Sequence, residues 1–141
     1  MYKPSLELRT FDVLPFAQRS ARVLDLVRVL VAIDIAYLRA FPNTPPLYVS
    51  GVVYRFQGIG PEGMVEDTWQ DIPRTLELGA GTCCDLAAWR VAELLVSGVD
   101  PHASPFIKEQ SGGPMTVYHV LVKRNGGQTF EDPARVLGMP G

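Results

Sequence analysis

Cysteine is almost missing from this chain, and the two that exist are neighbours, Cys83 and Cys84. Adjacent trans residues hold their Cα atoms about 3.8 Å apart, short of the roughly 4.4–6.8 Å that a disulfide favours. No disulfide framework is expected, which points to a reducing compartment. Histidine is equally scarce, with only His102 and His119. Together with adjacent cysteines they lack the ligand spacing of a zinc site, so no metal is expected. An excess of one charge is also missing. Thirteen basic and fifteen acidic side chains leave a net charge of −2, without the basic stripe of a nucleic-acid binder. No apolar run is long enough to span a bilayer. The segment from Val23 to Leu38 is interrupted by Asp25, Arg28 and Asp34 and falls short of the roughly 20 residues a span needs. The opening Met-Tyr-Lys-Pro-Ser-Leu-Glu has no apolar centre of the kind a signal peptide carries. There are no repeats, and the glycines between Gly58 and Gly63 make a poor phosphate loop.

What is present is enough apolar sequence for a core. The chain has 141 residues, 47% of them apolar and 20% charged, which fits a single domain over 1–141. Residues 1–15 read as an N-terminal arm or strand, with loose alternation over 5–13. A long helix is expected over 16–41, with a narrow polar strip, so that most of its sides are buried or covered by a partner. Pro42, Pro45 and Pro46 end it. The remainder, 42–141, forms the core that carries the chemistry. Leu47 to Gln57 reads as strand or extended chain, Gly58 to Gly63 as a loop, and Trp69 to Pro73 as a short helical turn. A second helix is expected from Cys83 to Ser97, stopped by Gly98. Strands over 103–109, 116–124 and 127–132 follow. The fold class is α+β, a helix packed on a small antiparallel sheet.

Asn125-Gly126 is a strong signal for a two-residue hairpin. With these as the central turn residues, Arg124 pairs with Gly127, Val122 with Thr129, and His119 with Asp132. Directly opposed residues share a face with Cβ atoms about 4.5–5.5 Å apart, so the Asp132 carboxylate could hold the His119 ring. Gly127 also permits a three-residue loop with a bulge, and a one-residue slip would turn the partner to the other face.

Cys83 falls where a helix should begin. A helix N-terminus lowers a thiol's pKa, and an adjacent imidazolium lowers it further. The free N–H groups of that turn could also form part of an oxyanion hole. Asp85 lies in the first turn, where a carboxylate supports the helix dipole and can bond the preceding loop. Cys84 points about 100° away around the helix and reads as packed; His102 reads as an exposed loop residue. Thiol, imidazole and carboxylate together are the parts of a cysteine nucleophile, its base and the base's orienter.

The stretch Gly81-Thr-Cys-Cys-Asp-Leu-Ala, with Tyr-His119-Val-Leu-Val and Glu-Asp132-Pro after it, resembles the transglutaminase-like cysteine enzymes of the papain-like fold. The run from Tyr37 to Tyr54, Trp69-Gln-Asp-Ile-Pro, and the run from Leu86 to Leu94 resemble the small bacteriophage and prophage members of that group. The resemblance covers roughly residues 35 to 139. It implies Cys83 as nucleophile, His119 as acid and base, and Asp132 as orienter. Trp69 or Gln70 would lie near the oxyanion. It implies no cofactor. It also implies a protein or peptide substrate, with phage structural proteins as partners, and a place in the bacterial cytoplasm or on the virion. The reaction would be acyl transfer from a peptide or glutamine carbonyl: proteolysis, deamidation or cross-linking. The other reading is a structural or assembly component of a phage particle that keeps the same fold. Where the family often flanks the cysteine with acidic residues, this chain has Thr82 and Cys84. The loss of two carboxylates beside the thiol eases its ionisation.

Overall fold

A computed structural model describes residues 7–11, 16–56, 66–110 and 117–140, with side chains over 21–56, 69–108 and 119–140. The loop expected over Gly58 to Gly63 lies outside the described residues. The architecture is α+β. Strand β1 (Glu7–Phe11) is followed by helix α1 (Phe16–Ala40), a 3-10 turn (Leu47–Val49), and strands β2 (Val53–Tyr54) and β3 (Glu66–Gln70). Then come helix α2 (Ile72–Leu78), strand β4 (Ala80–Gly81) and helix α3 (Cys83–Ser97). Strands β5 (Ser104–Gln110), β6 (Val117–Arg124) and β7 (Thr129–Glu131) and helix α4 (Pro133–Val136) close the order.

Three small sheets frame α3. β1 pairs antiparallel with β3, β2 pairs parallel with β4, and β5-β6-β7 form an antiparallel sheet. The expected N-terminal strand therefore exists over Glu7–Phe11; the remainder of the 5–13 reading lies outside the described residues. α3 starts at Cys83 and ends at Ser97, with Gly98 in the left-handed conformation at φ 75°, as the sequence indicated. It lies between α1 and the β5-β6-β7 sheet. Leu86, Ala87, Ala88, Trp89, Val91, Ala92 and Leu94 are all buried there. The alanines let both layers approach closely.

α1 is less buried than expected. Val23, Val27, Leu30, Val31, Asp34, Tyr37 and Leu38 form one buried stripe, whereas Val29, Ala32 and Ala36 are exposed. Alanine makes the outer face look apolar in sequence, yet it costs little to leave in water. Asp34, which reads as an interruption, is fully buried. Its Oδ1 accepts from Ile72 N at 3.0 Å and so helps fix the start of α2. Burial holds its carboxyl well above the usual carboxylate range.

Two more expectations need correction. Leu47 to Gln57 is not one strand. The chain makes a 3-10 turn, which Ser50 closes by donating from Oγ to Leu47 O at 2.6 Å. Gly51 then turns it at φ 86° before the two-residue β2. The β-branched and aromatic content suggested a strand, but the serine and glycine break it. Trp69 and Gln70 likewise end β3, where a helical turn was expected. The helix begins only after Asp71, whose side chain caps it from Arg74 N, with Pro73 in its first turn where no N–H is needed.

Gly81 links β4 to α3, and it is glycine because of space. A Cβ there would lie 3.1 Å from Asp85 Cβ and 3.2 Å from both Leu86 Cδ2 and Thr75 Cγ2. Asp85 Cβ cannot yield without moving the first turn of α3. Gly81→Ala is expected to cost about 1–3 kcal/mol, the usual range for overpacking, measured by urea unfolding. A variant as stable as the parent would show that the first turn can shift.

The hairpin turn is longer than the two residues expected. Asn125 and Gly126 do adopt positive φ, at 54° and 70°, but Gly127 does too, at 102°. The ladder pairs Arg124 with Thr129, Lys123 with Phe130 and Val122 with Glu131. Asp100, a buried carboxylate, accepts from Asn125 N at 3.0 Å and from Arg124 Nε at 2.9 Å, and so anchors the start of the longer turn. The register is therefore displaced by two residues. Because side chains alternate with period two, an even displacement leaves every residue on its expected face.

Candidate active site

The displaced register alters how His119 meets Asp132. β7 ends at Glu131, opposite Val122, so Asp132 lies just past the ladder and diagonal to His119 rather than directly opposite. Diagonal neighbours remain within reach of longer side chains. His119 Nε2 lies 2.9 Å from both Asp132 oxygens. A carboxylate only accepts, so the ring proton belongs on Nε2. Asp132 has a second task as the N-cap of α4, accepting from Arg135 N at 3.3 Å.

Where β7 stops, the edge of β6 is free to receive the start of α3. Cys83, the first residue of α3, lies there beside the His119 side chain and Val120 N–H, both of which lower its pKa. With Nε2 engaged by Asp132, Nδ1 is the ring nitrogen left to face the sulfur. The structure thus brings together Cys83, His119 and Asp132. Cys83 is 8% exposed and His119 6%, so little of either side chain meets solvent.

The electrostatics favour an ion pair. The neighbouring Cys84 thiol is the strongest influence on the Cys83 thiol and lowers its pKa. Burial opposes it, and His119 and Val120 N–H lower it further, to about 5. His119 moves the other way. Cys83 raises its pKa, burial opposes, and Asp132 adds to the rise. A thiolate facing an imidazolium is the direction both shifts support. Cys84 is fully buried, as its position suggested, but it also lowers the pKa of its neighbour, which sequence reading did not find.

Asp85 braces the helix start. Its Oδ2 accepts from Thr82 N at 2.9 Å and its Oδ1 from Gln70 N at 2.8 Å, tying β3 to the turn that delivers Cys83. Burial raises its pKa to about 7, against those two bonds and the charge of Arg55, which lower it. Trp69 is buried in the core. Gln70 is also buried. Its amide nitrogen lies 3.1 Å from Ala80 O and 3.5 Å from Thr75 Oγ1, and its oxygen accepts from Arg55. That leaves it no free amide proton for an oxyanion. His102 is exposed, with its backbone N–H on Asp100, away from the triad's hydrogen bonds.

Sequence reading also missed the clamp that holds β7 on α3. Arg90, two turns after Cys83, binds Glu131, the residue before Asp132. Glu131 also accepts from Arg124 Nη1 at 2.7 Å and from the Tyr48 hydroxyl, and Arg90 lies over the Tyr48 ring at 4.9 Å. Glu93 accepts from Arg90 at 2.9 Å and from Leu47 N at 3.1 Å. The side chains of Arg90 and Glu131 are about a fifth exposed, so this network is screened little by solvent. It connects the helix carrying the thiol to the strand leading to the carboxylate.

Among the described residues no group of His, Cys, Asp and Glu could hold a metal ion, and no helix is long and apolar enough to cross a membrane. Comparisons with protein-family models, with curated proteins and with solved structures found no match to this chain.

Proposed function

We propose that this chain is a cysteine-dependent acyl-transfer enzyme of the transglutaminase-like group, with a papain-like arrangement of helix and sheet. The observation that supports it is the Asp132–His119 hydrogen bond beside Cys83 at a helix start, with His119 lowering the thiol's pKa. The Cys83 thiolate attacks an amide carbonyl, forming a C–S bond and moving the carbonyl π electrons onto oxygen. The intermediate then collapses. The C–N bond breaks, and the leaving amine takes the imidazolium proton of His119. A thioester remains. Neutral His119 next removes a proton from water, giving hydrolysis or deamidation, or from an amine, giving a cross-link. Asp132 keeps the ring oriented and its charge balanced. The resemblance to small phage proteins extends the proposal to a phage-encoded enzyme whose substrate is a protein or peptide.

The test is a burst assay with p-nitrophenyl acetate at neutral pH. One equivalent of nitrophenolate per chain is expected, absent from Cys83→Ala and retained by Cys84→Ala. A burst that survives Cys83→Ala would end the proposal. One observation favours a second reading, an assembly component. The rings of Phe106 and Phe130 lie 5.0 Å apart, tilted by 58°, and the residues are 37% and 51% exposed, on the sheet face opposite the buried Val120 and Val122. Such exposed aromatic pairs often mark contacts with other proteins.

A further inference from the structure

Several donors near the thiol are committed. Gln70 spends its amide on Thr75 and Ala80, and His119 holds Asp132. The N–H of Cys83, at the first position of α3, has no acceptor among the described residues, as is usual for a helix start. The Thr82 hydroxyl and Arg55 Nε are without a partner but fully enclosed. The Tyr54 hydroxyl is a further donor without a partner among the described residues.

The backbone places Tyr54 between the two arms of the triad. It pairs with Gly81, two residues before Cys83. Its own N–H donates to Leu137 O at 2.9 Å, on the segment that follows Asp132 through α4. Paired residues of a sheet share a face. A Cβ at Gly81 would run into Asp85 and Leu86 of α3's first turn, so the Tyr54 side chain lies on the side of that turn. It is half-buried and packed on the core. Burial foremost, and then the charge of Cys83 and Cys84, make its phenol hold its proton more tightly than usual. Its hydroxyl has no hydrogen-bond partner among the described residues, whereas the Tyr48 hydroxyl is bound to Glu131. A half-buried O–H on that side of the turn can exchange a water for an arriving carbonyl oxygen.

We propose that Tyr54 is a catalytic residue that donates a hydrogen bond to the carbonyl oxygen of the acyl group attacked by Cys83. The proposal rests on the acyl-transfer reading above. As the C–S bond forms, the electron pair of the C=O bond moves to oxygen, where Tyr54 O–H and Cys83 N–H meet it. Collapse returns that pair and expels the leaving group. Tyr54 keeps its proton throughout, so His119 alone moves protons.

Two rates on one preparation test this. Acylation by p-nitrophenyl acetate passes through an oxyanion; alkylation by iodoacetamide does not. Removing one oxyanion donor typically costs about 10²–10³ in rate, and an activated ester needs the donor less. Tyr54→Phe is therefore expected to slow the burst about 10- to 100-fold and to leave alkylation within about twofold. Tyr54→Gln retains a donor and is expected to recover part of the burst; it also serves as the second variant should Tyr54→Phe fold poorly. Both rates are taken on the monodisperse folded fraction. An unchanged burst in Tyr54→Phe, equal losses in both rates, or a Tyr54→Gln variant no better than Tyr54→Phe would overturn the assignment. Parent-chain alkylation that rises only near pH 8.5 would instead overturn the acyl-transfer reading, so the two failures are distinguishable.

Discussion

Iodoacetamide should alkylate Cys83 about 40 times faster than a free thiol at pH 5, about 8 times faster at pH 6, and no faster at pH 7. The advantage arises because only the thiolate reacts. A free thiol with pKa about 8.5 is about 0.03% ionised at pH 5, whereas a thiol held at about 5 is half ionised there. Ionisation alone would give a factor of more than about 10³. Basicity works against it. Nucleophilicity falls with pKa at a slope of about 0.4–0.5, so a drop of about 3.5 units removes a factor of about 40. The diagnostic is therefore the shape of the profile, with its rise near pH 5, rather than its height. The sign follows from the direction of the shift. A lowered thiol pKa extends reactivity downward in pH, and the raised pKa of His119 keeps the imidazolium present over the same window. Because Cys84 is the largest lowering influence, Cys84→Ala should move the rise toward alkaline pH, and His119→Ala should do the same. Cys84→Ser, which keeps a donor, should restore much of it. Fragmentation mass spectrometry assigns the label to Cys83 or Cys84. A parent profile that rises only near pH 8.5 would mean that the thiol and imidazole are not ionised together, and the triad would lose its nucleophile.

The parts of this site that were legible in sequence are those set by local signals. The bounds of α3 follow from a helix start after Gly81-Thr82 and a glycine stop at Gly98. The meeting of His119 and Asp132 follows from a hairpin signal and the alternation of side chains. It tolerates a longer turn because the displacement was even. A displacement of one would have separated them. Asp100 anchors the longer turn, and it lies 25 residues from Asn125; nothing near Asn125-Gly126 announces it. Tyr54 was hidden for a related reason. A two-residue parallel strand has no period to read, and its place beside Cys83 depends on pairing with Gly81. The Arg90–Glu131 clamp joins residues 41 apart, and each alone reads as a solvated charge. Gln70 shows the opposite error. An amide near the motif suggested an oxyanion donor, but its bonds to Arg55, Thr75 and Ala80 use it as a structural cross-tie.

Asp132 should reveal whether orientation or charge is what His119 needs from it. Asp132→Ala removes both, and also removes the cap of α4. Loss of a cap costs about 0.5–2 kcal/mol, visible in urea unfolding. Loss of ring orientation is expected to slow the nitrophenolate burst by about 10²-fold, within the range that a positioned acid–base group supplies. Asp132→Asn keeps an oxygen that can accept from His119 Nε2–H and can cap Arg135 N, so stability should stay close to the parent. It removes the negative charge that helps raise the pKa of His119, so the imidazolium is lost at a lower pH and the upper limb of the burst profile shifts toward acid. The rate at the optimum should fall about tenfold or less, because ring geometry is retained. The lower limb should barely move, since Cys84 and Val120 N–H still stabilise the thiolate. Equal losses in the Asn and Ala variants, with Asn fully folded, would show that charge outweighs geometry at this position. A burst unaffected by Asp132→Ala would remove Asp132 from the mechanism and leave it only the cap of α4.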